Sequence, residues 1–289
     1  EQNYQQAVAW YTKAAKQGEA DAQNKLGVIY EEGRGVAQDY RKAFEWYEKA
    51  ANQGDATAQC KLGVMYEEGR GVAQDGKKAF EWYQKAAQQG NAKAVAWYKK
   101  AARQGNAAAQ CKLGWMYQNG QGVEQDDKEA FKCYYQAAQA GHARAQRRVG
   151  RMYENGQGGI KKDYKQAMAW YLKAANQSDA YAQLLIGYMY KEGLGVPKNT
   201  MQARQWFEKA FEQAEKDAPR GDEDAQFVVG YLLSGDELGK KDYKKAVEWY
   251  LKAANQGHSQ AQNKLGLMYE NGRGVDQNYQ QAVAWYQKA

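Results

Sequence analysis

The sequence predicts an all-α fold, an α/α superhelical solenoid of helix-turn-helix repeats forming one elongated domain over residues 1–289. A segment of 36 residues recurs along the chain, and each copy carries small or apolar residues at helical spacing. The mean hydropathy is only −0.94, yet the chain contains 23 Tyr and 9 Trp, whereas disordered chains lack aromatic residues. We therefore expect an ordered core built largely from Ala, Tyr and Trp.

The repeat is anchored by a Trp-Tyr pair followed by a Lys-Ala-Ala segment. Most anchors are 36 residues apart, and a cysteine replaces the tryptophan in one copy. This spacing predicts about eight helix pairs. The nine anchor positions are Trp10, Trp46, Trp82, Trp97, Cys133, Trp170, Trp206, Trp249 and Trp285.

Each copy predicts two helices joined by a turn. In one copy the first helix covers residues 55–68, and its apolar residues from Ala58 follow the i, i+4, i+7 and i+8 spacing of one helical face. The second helix, residues 39–53 in one copy, has a similar face around Trp46 and Tyr47. A Gly-x-Gly-Val segment lies between the helices. Because it follows a helix rather than a strand, we interpret its glycines as turn residues and not as a phosphate-binding loop.

These residues resemble the Sel-one-like repeat (SLR) family, a branch of the tetratricopeptide superfamily. The family pattern LGxxYxxGxGVxxDxxKAxxWYxKAAxQG is matched nearly throughout residues 4–289. The resemblance implies an α/α superhelix whose members act as adaptors in bacterial envelope and secretion systems, host-interaction proteins and eukaryotic degradation complexes. It implies no catalytic residues, points to a bacterial source, and favours the periplasm or secretion over the cytoplasm. A cysteine-rich branch joins its helices by disulfides, but Ala15, Ala51 and Ala102 stand at the partner positions here.

The repeat is interrupted twice. Trp82 and Trp97 are separated by less than half a repeat, so one first helix and its turn, about 21 residues, are missing near residues 90–97. The gap is either a true deletion, which would bend the stack, or a segment left out of the chain. Seven extra residues after Trp206 predict a lengthened helix at about residues 200–220. That extension is either a projection that contacts a specific partner, or sequence drift in a loop that tolerates insertions.

The spacing of reactive residues suggests no catalytic or metal site. His142 and His258 occupy the same repeat position in different copies, and so do Cys60 and Cys111, without a CxxC or Cys/His cluster. No Ser/His/Asp or Cys/His set is suggested either. We therefore predict a protein that is not an enzyme and that holds no metal or cofactor. No apolar stretch is long enough to cross a bilayer as a helix, so no membrane span is predicted.

Function in a repeat protein is expected where the copies differ on one shared face. The first-helix positions six and three before the helical glycine, and one after it, share a face. The residues at these positions are small or uncharacteristic of binding sites in the outer copies, but large, aromatic or cationic in the central copies. By resemblance to tetratricopeptide stacks they line a concave groove. The predicted partner-binding residues are Trp115, Arg144, Arg147, Arg151, Tyr181, Leu184, Tyr188, Phe227 and Tyr231.

Alternatives remain open for two of these features. Trp115 is either an exposed aromatic anchor or a filler of the volume left by Cys133. The three arginines form a solvated face, bind carboxylates of an acidic partner, or bind phosphate groups. Residues 97–176 hold 14 Lys and Arg against 6 Asp and Glu, so we expect this block to steer an acidic partner. Nucleic acid is disfavoured because the remaining surface is rich in acidic residues and the net charge is only +7.

The sequence thus predicts a non-catalytic protein–protein interaction scaffold for a partner with an acidic and apolar contact segment. One alternative is an immunity or inhibitor protein that neutralises a secreted bacterial toxin or effector enzyme. A different class is a structural spacer or a self-assembling array, since both ends stop inside a repeat without a polar capping helix. Carbohydrate binding through exposed aromatic residues is a third class.

Overall fold

The computed structural model describes residues 2–289, with side chains from Tyr4 onward. Over this range the chain forms 16 α-helices and one short 3₁₀ segment, without strands. The prediction of an all-α solenoid of helix-turn-helix repeats is confirmed. Contacts between residues divide the chain into two compact units, which we call unit 1, ending at Cys133, and unit 2, Tyr134–Ala289. The single elongated domain, which was predicted to begin at Glu1, outside the described residues, stays a prediction.

Unit 1 contains seven complete helices. A further helix, α8 (Asp127–Gln139), includes the boundary between the two units. The seven are α1 (Gln2–Lys16), α2 (Ala20–Glu32), α3 (Tyr40–Asn52), α4 (Ala56–Glu68), α5 (Gly76–Gln88), α6 (Ala92–Arg103) and α7 (Ala107–Asn119).

Unit 2 contains eight complete α-helices and the 3₁₀ segment Ala218–Arg220. First and second helices of the repeat alternate along it. The eight are α9 (Ala143–Asn155), α10 (Tyr164–Ala175), α11 (Ala180–Glu192), α12 (Thr200–Asp217), α13 (Glu223–Ser234), α14 (Tyr243–Asn255), α15 (Ser259–Asn271) and α16 (Tyr279–Lys288).

Most first helices begin at a capping side chain and end at a glycine. In α4 the N-cap is Asp55, whose Oδ1 accepts a hydrogen bond from the backbone N–H of Ala58 at 2.7 Å. The helix ends at Gly69, which has a left-handed φ of 69° and donates its N–H to the carbonyl of Met65. These two devices satisfy backbone groups that the helix itself leaves without partners.

The Gly-x-Gly-Val segment is a turn. Gly71, its second glycine in one copy, has a φ of 71°, and a Cβ there would clash with the carbonyl group of Tyr40. The turn therefore packs directly on the start of α3. A second close approach occurs within α4, where a Cβ on Gly63 would lie 2.8 Å from the ring of Tyr83. A larger residue at either position would push the helices apart.

Tyrosine fills the space between paired helices. The ring of Tyr47 is fully buried, and its hydroxyl donates a hydrogen bond to Glu31 Oε2 at 2.5 Å. Lys61, from the following repeat, donates to the same oxygen at 2.7 Å. Tyr83 and Glu67 repeat the tyrosine–carboxylate pair at 2.8 Å. Because the Tyr47 and Tyr83 hydroxyls each have an acceptor, these two large rings contribute to the core without an unpaired hydroxyl.

Buried glutamines link successive repeats. Gln59 donates from Nε2 to the carbonyl of Ala51 at 3.1 Å, and its Oε1 accepts a hydrogen bond from Gln89 at 2.9 Å. Gln23 makes the equivalent bonds in the preceding repeat, accepting from Gln53 at 2.7 Å. Each glutamine thereby satisfies a carbonyl at the end of a second helix and joins it to the next repeat.

Helix α6 has the sequence of a second helix but takes the place of a first helix beside α4 and α5. Its N-cap Asn91 lies 36 residues after Asp55 and accepts from the N–H of Ala94 at 3.2 Å. Trp97 Nε1 donates to Glu67 Oε2 at 3.0 Å, as the lysine 36 residues earlier donates to its own glutamate. The indole N–H therefore replaces a lysine ammonium.

Toward α7, the same helix behaves as a second helix. Gln110 donates to the carbonyl of Ala102 at 3.0 Å, which is the first of the two hydrogen bonds in the glutamine link of the regular repeats. Within the described residues, the buried Oε1 of Gln110 has no hydrogen-bond donor. The N–H of Asn91, between α5 and α6, donates a hydrogen bond to the carbonyl of Ala86 at 3.1 Å. The single helix α6 therefore makes contacts of both helix types.

Helix α12 has 18 residues, whereas most others have 13. Its added residues, which follow position 212, include Ala214 in the core of unit 2, so the extension packs against that unit. The extension displaces the regular glutamine link. Gln213 donates to Asp217 at 2.6 Å, and within the described part of the chain the buried Oε1 of Gln183 has no hydrogen-bond donor.

Candidate functional site

Unit 2 brings eight of the nine predicted partner-binding residues onto one surface. The first helices α9, α11, α13 and α15 face one another there, so that side chains far apart in the sequence touch. We call this surface the inner face. The predicted residues on it are Arg144, Arg147, Arg151, Tyr181, Leu184, Tyr188, Phe227 and Tyr231.

Arg147 lies at the centre of the inner face and is buried, with a side-chain exposure of 1%. Its Nε donates to Asp179 at 3.1 Å, and its Nη2 pairs with Asp224. The guanidinium carbon lies 4.5 Å from the centre of the Tyr181 ring, a cation–π distance. The positive charge of Arg147 is therefore compensated by carboxylates inside the molecule, and its side chain does not face solvent.

Asp224 is shared by three basic side chains. Besides Arg147, it pairs with Arg144 Nη2 at 3.0 Å and faces His258 Nε2 at 3.4 Å. His258 Nδ1 accepts from the N–H of Ala261, so the imidazole is the N-cap of α15 and carries its proton on Nε2. We call Arg144, Arg147, Asp179, Asp224 and His258 the ion cluster.

Mutual attraction stabilises the charged forms in the ion cluster. Burial alone would raise the pKa of Asp224, but Arg147 and Arg144 hold that pKa well below its ordinary value of 3.8. Burial alone would lower the pKa of Arg147, but Asp179 and Asp224 raise it above the ordinary arginine value. Asp224 is also the main reason that the pKa of Arg144 is raised. All three groups stay charged over the physiological range.

Arg144 and Arg151 lie at the edges of the inner face. The side chain of Arg144 is 41% exposed and also pairs with Glu223 at 3.0 Å. Arg151 is half-buried and donates from Nη1 to the hydroxyl of Tyr181 at 3.2 Å. Tyr181, Leu184 and Phe227 are buried beneath them. Only part of the predicted set is therefore accessible to a partner.

A second polar group lies further along the inner face. Tyr188 and Tyr231 are half-buried and hydrogen-bonded to each other through their hydroxyls. Glu237 Oε1 accepts from Lys191 at 3.1 Å and from Tyr188 at 3.3 Å. Lys264 lies 4.8 Å from the centre of the Tyr231 ring, and burial lowers the pKa of this lysine. This group combines aromatic rings with two lysines and one carboxylate.

The carboxylate of Glu237 replaces one that the repeat supplies elsewhere. Lys191 and Ser234 occupy the repeat position at which Glu31 and Glu67 bind a tyrosine hydroxyl in unit 1. The irregular turn after α13 folds Glu237 inward, where it accepts the lysine's hydrogen bond. The irregular turn therefore restores a missing negative charge.

Seven residues of the site were not among the residues predicted from the sequence: Asp179, Lys191, Glu223, Asp224, Glu237, His258 and Lys264. Asp224 stands at a groove position of α13, and Asp179 and His258 at N-cap positions. The sequence therefore contained a sign of the ion pair, since the acidic Asp224 occupies a repeat position equivalent to those of the arginines. Sequence periodicity does not show which side chains meet across 77 residues.

Trp115 belongs to unit 1 and is described separately. Its indole is half-buried on α7 and packs against a core cluster that also contains Cys133. The ammonium of Lys112 lies 3.8 Å from the ring centre. The Trp115 ring therefore packs against the core of unit 1 and is also in cation–π contact with Lys112.

The remaining chemistry of the described residues is limited. Among residues 2–289, no group of three or more His, Cys, Asp or Glu side chains is arranged to hold a metal ion. His142 caps α9, as His258 caps α15, and burial lowers the pKa of His142. Burial also raises the pKa of the Cys133 thiol, to about 11. No helix in the part that the structure describes is long and apolar enough to cross a membrane.

A family model described as Sel1 repeat matches nearly the whole chain in nine segments. One of them is a short segment that coincides with α6 and the turn after it. A search of curated proteins found no match. The matched segments are residues 1–19, 20–55, 56–91, 92–106, 107–142, 143–179, 180–215, 223–258 and 259–289.

Solved structures include several similar proteins. A Sel1 repeat protein from Oxalobacter formigenes is 30% identical over 97% of this chain and 75% of that chain, with a TM-score of 0.44. A protective antigen present in uropathogenic Escherichia coli strains, with an SLR fold, is 32% identical over 98% and 79%, with a TM-score of 0.30. An immunity protein from Pseudomonas aeruginosa is 19% identical over 82% and 81%, with a TM-score of 0.33.

Proposed function

Because the chain belongs to the Sel1 repeat family, we propose that it is a scaffold that binds another protein on the inner face of its repeats. Sel1 repeat proteins mediate protein–protein interaction, and the family is typically non-catalytic. The described residues add no metal-binding group to this picture. The observation that carries the proposal is the inner face of unit 2, where partly accessible arginine and tyrosine side chains lie at and beside the ion cluster.

The predicted residues divide into two roles in this proposal. Arg144, Arg151, Tyr188 and Tyr231 are partly accessible and would contact the partner. Arg147, Tyr181, Leu184 and Phe227 are buried and would hold those residues in place. Tyrosine and arginine are enriched at binding hot spots, and a guanidinium fork suits a carboxylate. The partner segment is therefore proposed to be acidic and apolar.

Trp115 is proposed as a separate contact in unit 1. Its half-buried ring offers an aromatic surface, and Lys112 adds a positive charge above it. An apolar residue next to a carboxylate would suit both groups. Trp115→Ala is expected to weaken binding less than Tyr188→Ala, because much of its ring already packs inside unit 1.

The test begins with affinity capture of the natural partner from source cells by the wild-type chain. Calorimetry with the purified partner then compares Arg144→Glu and Tyr188→Ala with the wild type. We expect Tyr188→Ala to cost about 2 kcal/mol of binding free energy, as interface hot spots do. Arg144→Glu is expected to weaken binding further, since it places like charge against an acidic segment.

Arg204→Glu is the matched control, because Arg204 on α12 is 64% exposed and lies outside the inner face. It should leave the dissociation constant within about twofold of the wild type, as surface substitutions away from an interface do. Unchanged affinity of Arg144→Glu and Tyr188→Ala for the captured partner would contradict binding on the inner face. Circular dichroism checks that each variant remains folded.

A further inference from the structure

A cavity of about 440 Å³ opens between α4 and α6 in unit 1. Its apolar walls come from Cys60 and Val64 on α4, Tyr83 on α5 and Trp97 on α6. Thr57, Cys60 and Val64 occupy the α4 positions that correspond to the inner face of unit 2. The cavity therefore lies at the repeat positions that form the inner face in unit 2.

The interruption of the repeat shapes this cavity. Because α6 has a second-helix sequence, Trp97 stands where a regular first helix has a lysine. The indole stacks on Tyr83 with ring centres 4.4 Å apart and an angle of 23°, and its N–H is bonded to Glu67. Stacking and the hydrogen bond fix the ring as a wall of the cavity. Helix α6 also contributes Ala92 and Lys93 to the lining of the cavity.

The charged residues around the cavity are basic. No carboxylate is among the residues that line it, and Lys61 is already paired with Glu31 at 2.7 Å. The amide of Asn91 is occupied by the cap of α6 and by the carbonyl of Ala56. Lys93 is exposed and has no ion pair within the described residues. The cavity thus combines apolar walls with one available ammonium group.

We propose that the cavity holds an apolar side chain from an extended segment of a partner protein, and that a neighbouring Asp or Glu of that segment pairs with Lys93. The inference rests on the proposed protein-binding function and assigns its anchoring point to unit 1. An aromatic or long aliphatic side chain would replace water against Val64, Tyr83 and Trp97. The adjacent carboxylate gives the segment a direction across the cavity.

A displayed library of random 12-residue peptides, selected against the full chain, tests this inference directly. The selected peptides are expected to carry an aromatic or long aliphatic residue within two positions of Asp or Glu. Synthetic peptides are then measured by fluorescence anisotropy. Lys93→Glu is expected to weaken binding about tenfold or more, because it opposes like charges at a desolvated contact.

Lys77→Glu is the matched control, since Lys77 is an exposed lysine on α5 that does not line the cavity. It should leave peptide affinity nearly unchanged. Replacing the acidic peptide residue by lysine should restore binding to Lys93→Glu and abolish it for the wild type. This charge exchange identifies Lys93 itself as the contact.

Two further measurements locate the apolar side chain. Val64→Trp fills the cavity and is expected to weaken binding about tenfold, while thermal unfolding checks that the variant is folded. Bound peptide should also slow the reaction of Cys60 with N-ethylmaleimide, measured by peptide mass spectrometry. Cys111 serves as the internal reference because it occupies the same repeat position and is similarly buried.

Selected peptides that bind Lys93→Glu and Val64→Trp as tightly as the wild type would overturn the cavity as a binding site. Protein binding on the inner face would survive that result, because it is judged by Arg144→Glu and Tyr188→Ala with the natural partner. Selection of basic peptides, or of no peptide at all, would also count against the cavity. The cavity would also be contradicted if the natural partner bound Lys93→Glu normally but failed to bind Arg144→Glu and Tyr188→Ala.

Discussion

At the level of single residues, Arg147 is the buried positive charge that compensates two carboxylates of unit 2. Its guanidinium is buried, and its charge is compensated by Asp179 and Asp224. A buried ion pair gives little net stabilisation over apolar packing, but loss of one partner leaves an uncompensated charge. Substitutions of Arg147 therefore report on folding before they report on binding.

Asp224→Asn is predicted to destabilise the protein by about 3 kcal/mol at pH 7, because Arg147 keeps its charge and loses a carboxylate. The pKa of Asp224 is well below 3.8 in the folded protein, so its stabilisation is fully present above about pH 4 and is lost as the pH falls toward the folded pKa. Urea unfolding at several pH values between 7 and 3 measures both effects.

The wild type should lose stability below pH 4 more steeply than Asp224→Asn, since the variant no longer has that carboxyl to protonate. Asp276→Asn is the control, because the Asp276 side chain is exposed and forms no ion pair among the described residues. An equally steep loss of stability in Asp224→Asn would show that other groups govern the acid response.

The face that carries the arginines could be predicted from sequence spacing, but their pairing could not. Positions three and four residues apart share a helical face whatever the fold, so Arg144, Arg147 and Arg151 had to lie together. The curvature that brings α13 to α9 depends on small rotations between repeats. Those rotations decide that Arg147 meets Asp224 and leaves Arg144 at the edge.

At the level of secondary structure elements, α6 shows how much of a helix is fixed by its caps and neighbours. Asn91 begins it as Asp55 begins α4, and Trp97 provides the hydrogen bond that a lysine provides in the regular repeat. The sequence periodicity predicted that one first helix and its turn are missing near residues 90–97. It did not predict that α6 would make the contacts of that first helix.

Trp97→Ala is predicted to cost about 2–3 kcal/mol of unfolding free energy, somewhat less than the truncation of a fully buried tryptophan. The ring is half-buried, stacks on Tyr83 and binds Glu67. Trp10→Ala is the matched control, because Trp10 occupies the same anchor position but is 72% exposed. Its effect should stay within about 0.5 kcal/mol, as for other exposed positions.

Chemical unfolding of both variants measures the difference. A cost for Trp97→Ala no larger than that for Trp10→Ala would mean that the indole does not hold α6 in the place of a first helix. Restoration by Trp97→Lys would instead show that the hydrogen bond to Glu67 matters more than the stacking on Tyr83.

At the level of the whole molecule, the distribution of charge along the sequence differs from its distribution in space. Residues 97–176 hold 14 basic and 6 acidic side chains. The arginines of α9 nevertheless pair with acidic residues of the following segment, Asp179, Glu223 and Asp224. The basic block therefore presents less free charge than its composition suggests, and salt is expected to slow partner association only modestly.

Asp224→Asn should raise amide hydrogen exchange in α9, α11, α13 and α15 and leave α1–α4 unchanged. All described contacts of Asp224 lie within unit 2, and destabilisation in repeat proteins falls off with distance from the altered repeat. Exchange measured by mass spectrometry at neutral pH tests this. A uniform increase over both units would mean that the whole chain unfolds as one cooperative block.

The double role of α6 has a consequence for how such chains change in length. Helix α6 makes first-helix contacts through its N-cap and Trp97, and a second-helix contact through Ala102. It can therefore pack between helices of either type. Arrays of this kind can then gain or lose a single helix with its turn, and not only a whole repeat. A designer could use the α5–α6 junction to join arrays whose repeats are out of phase.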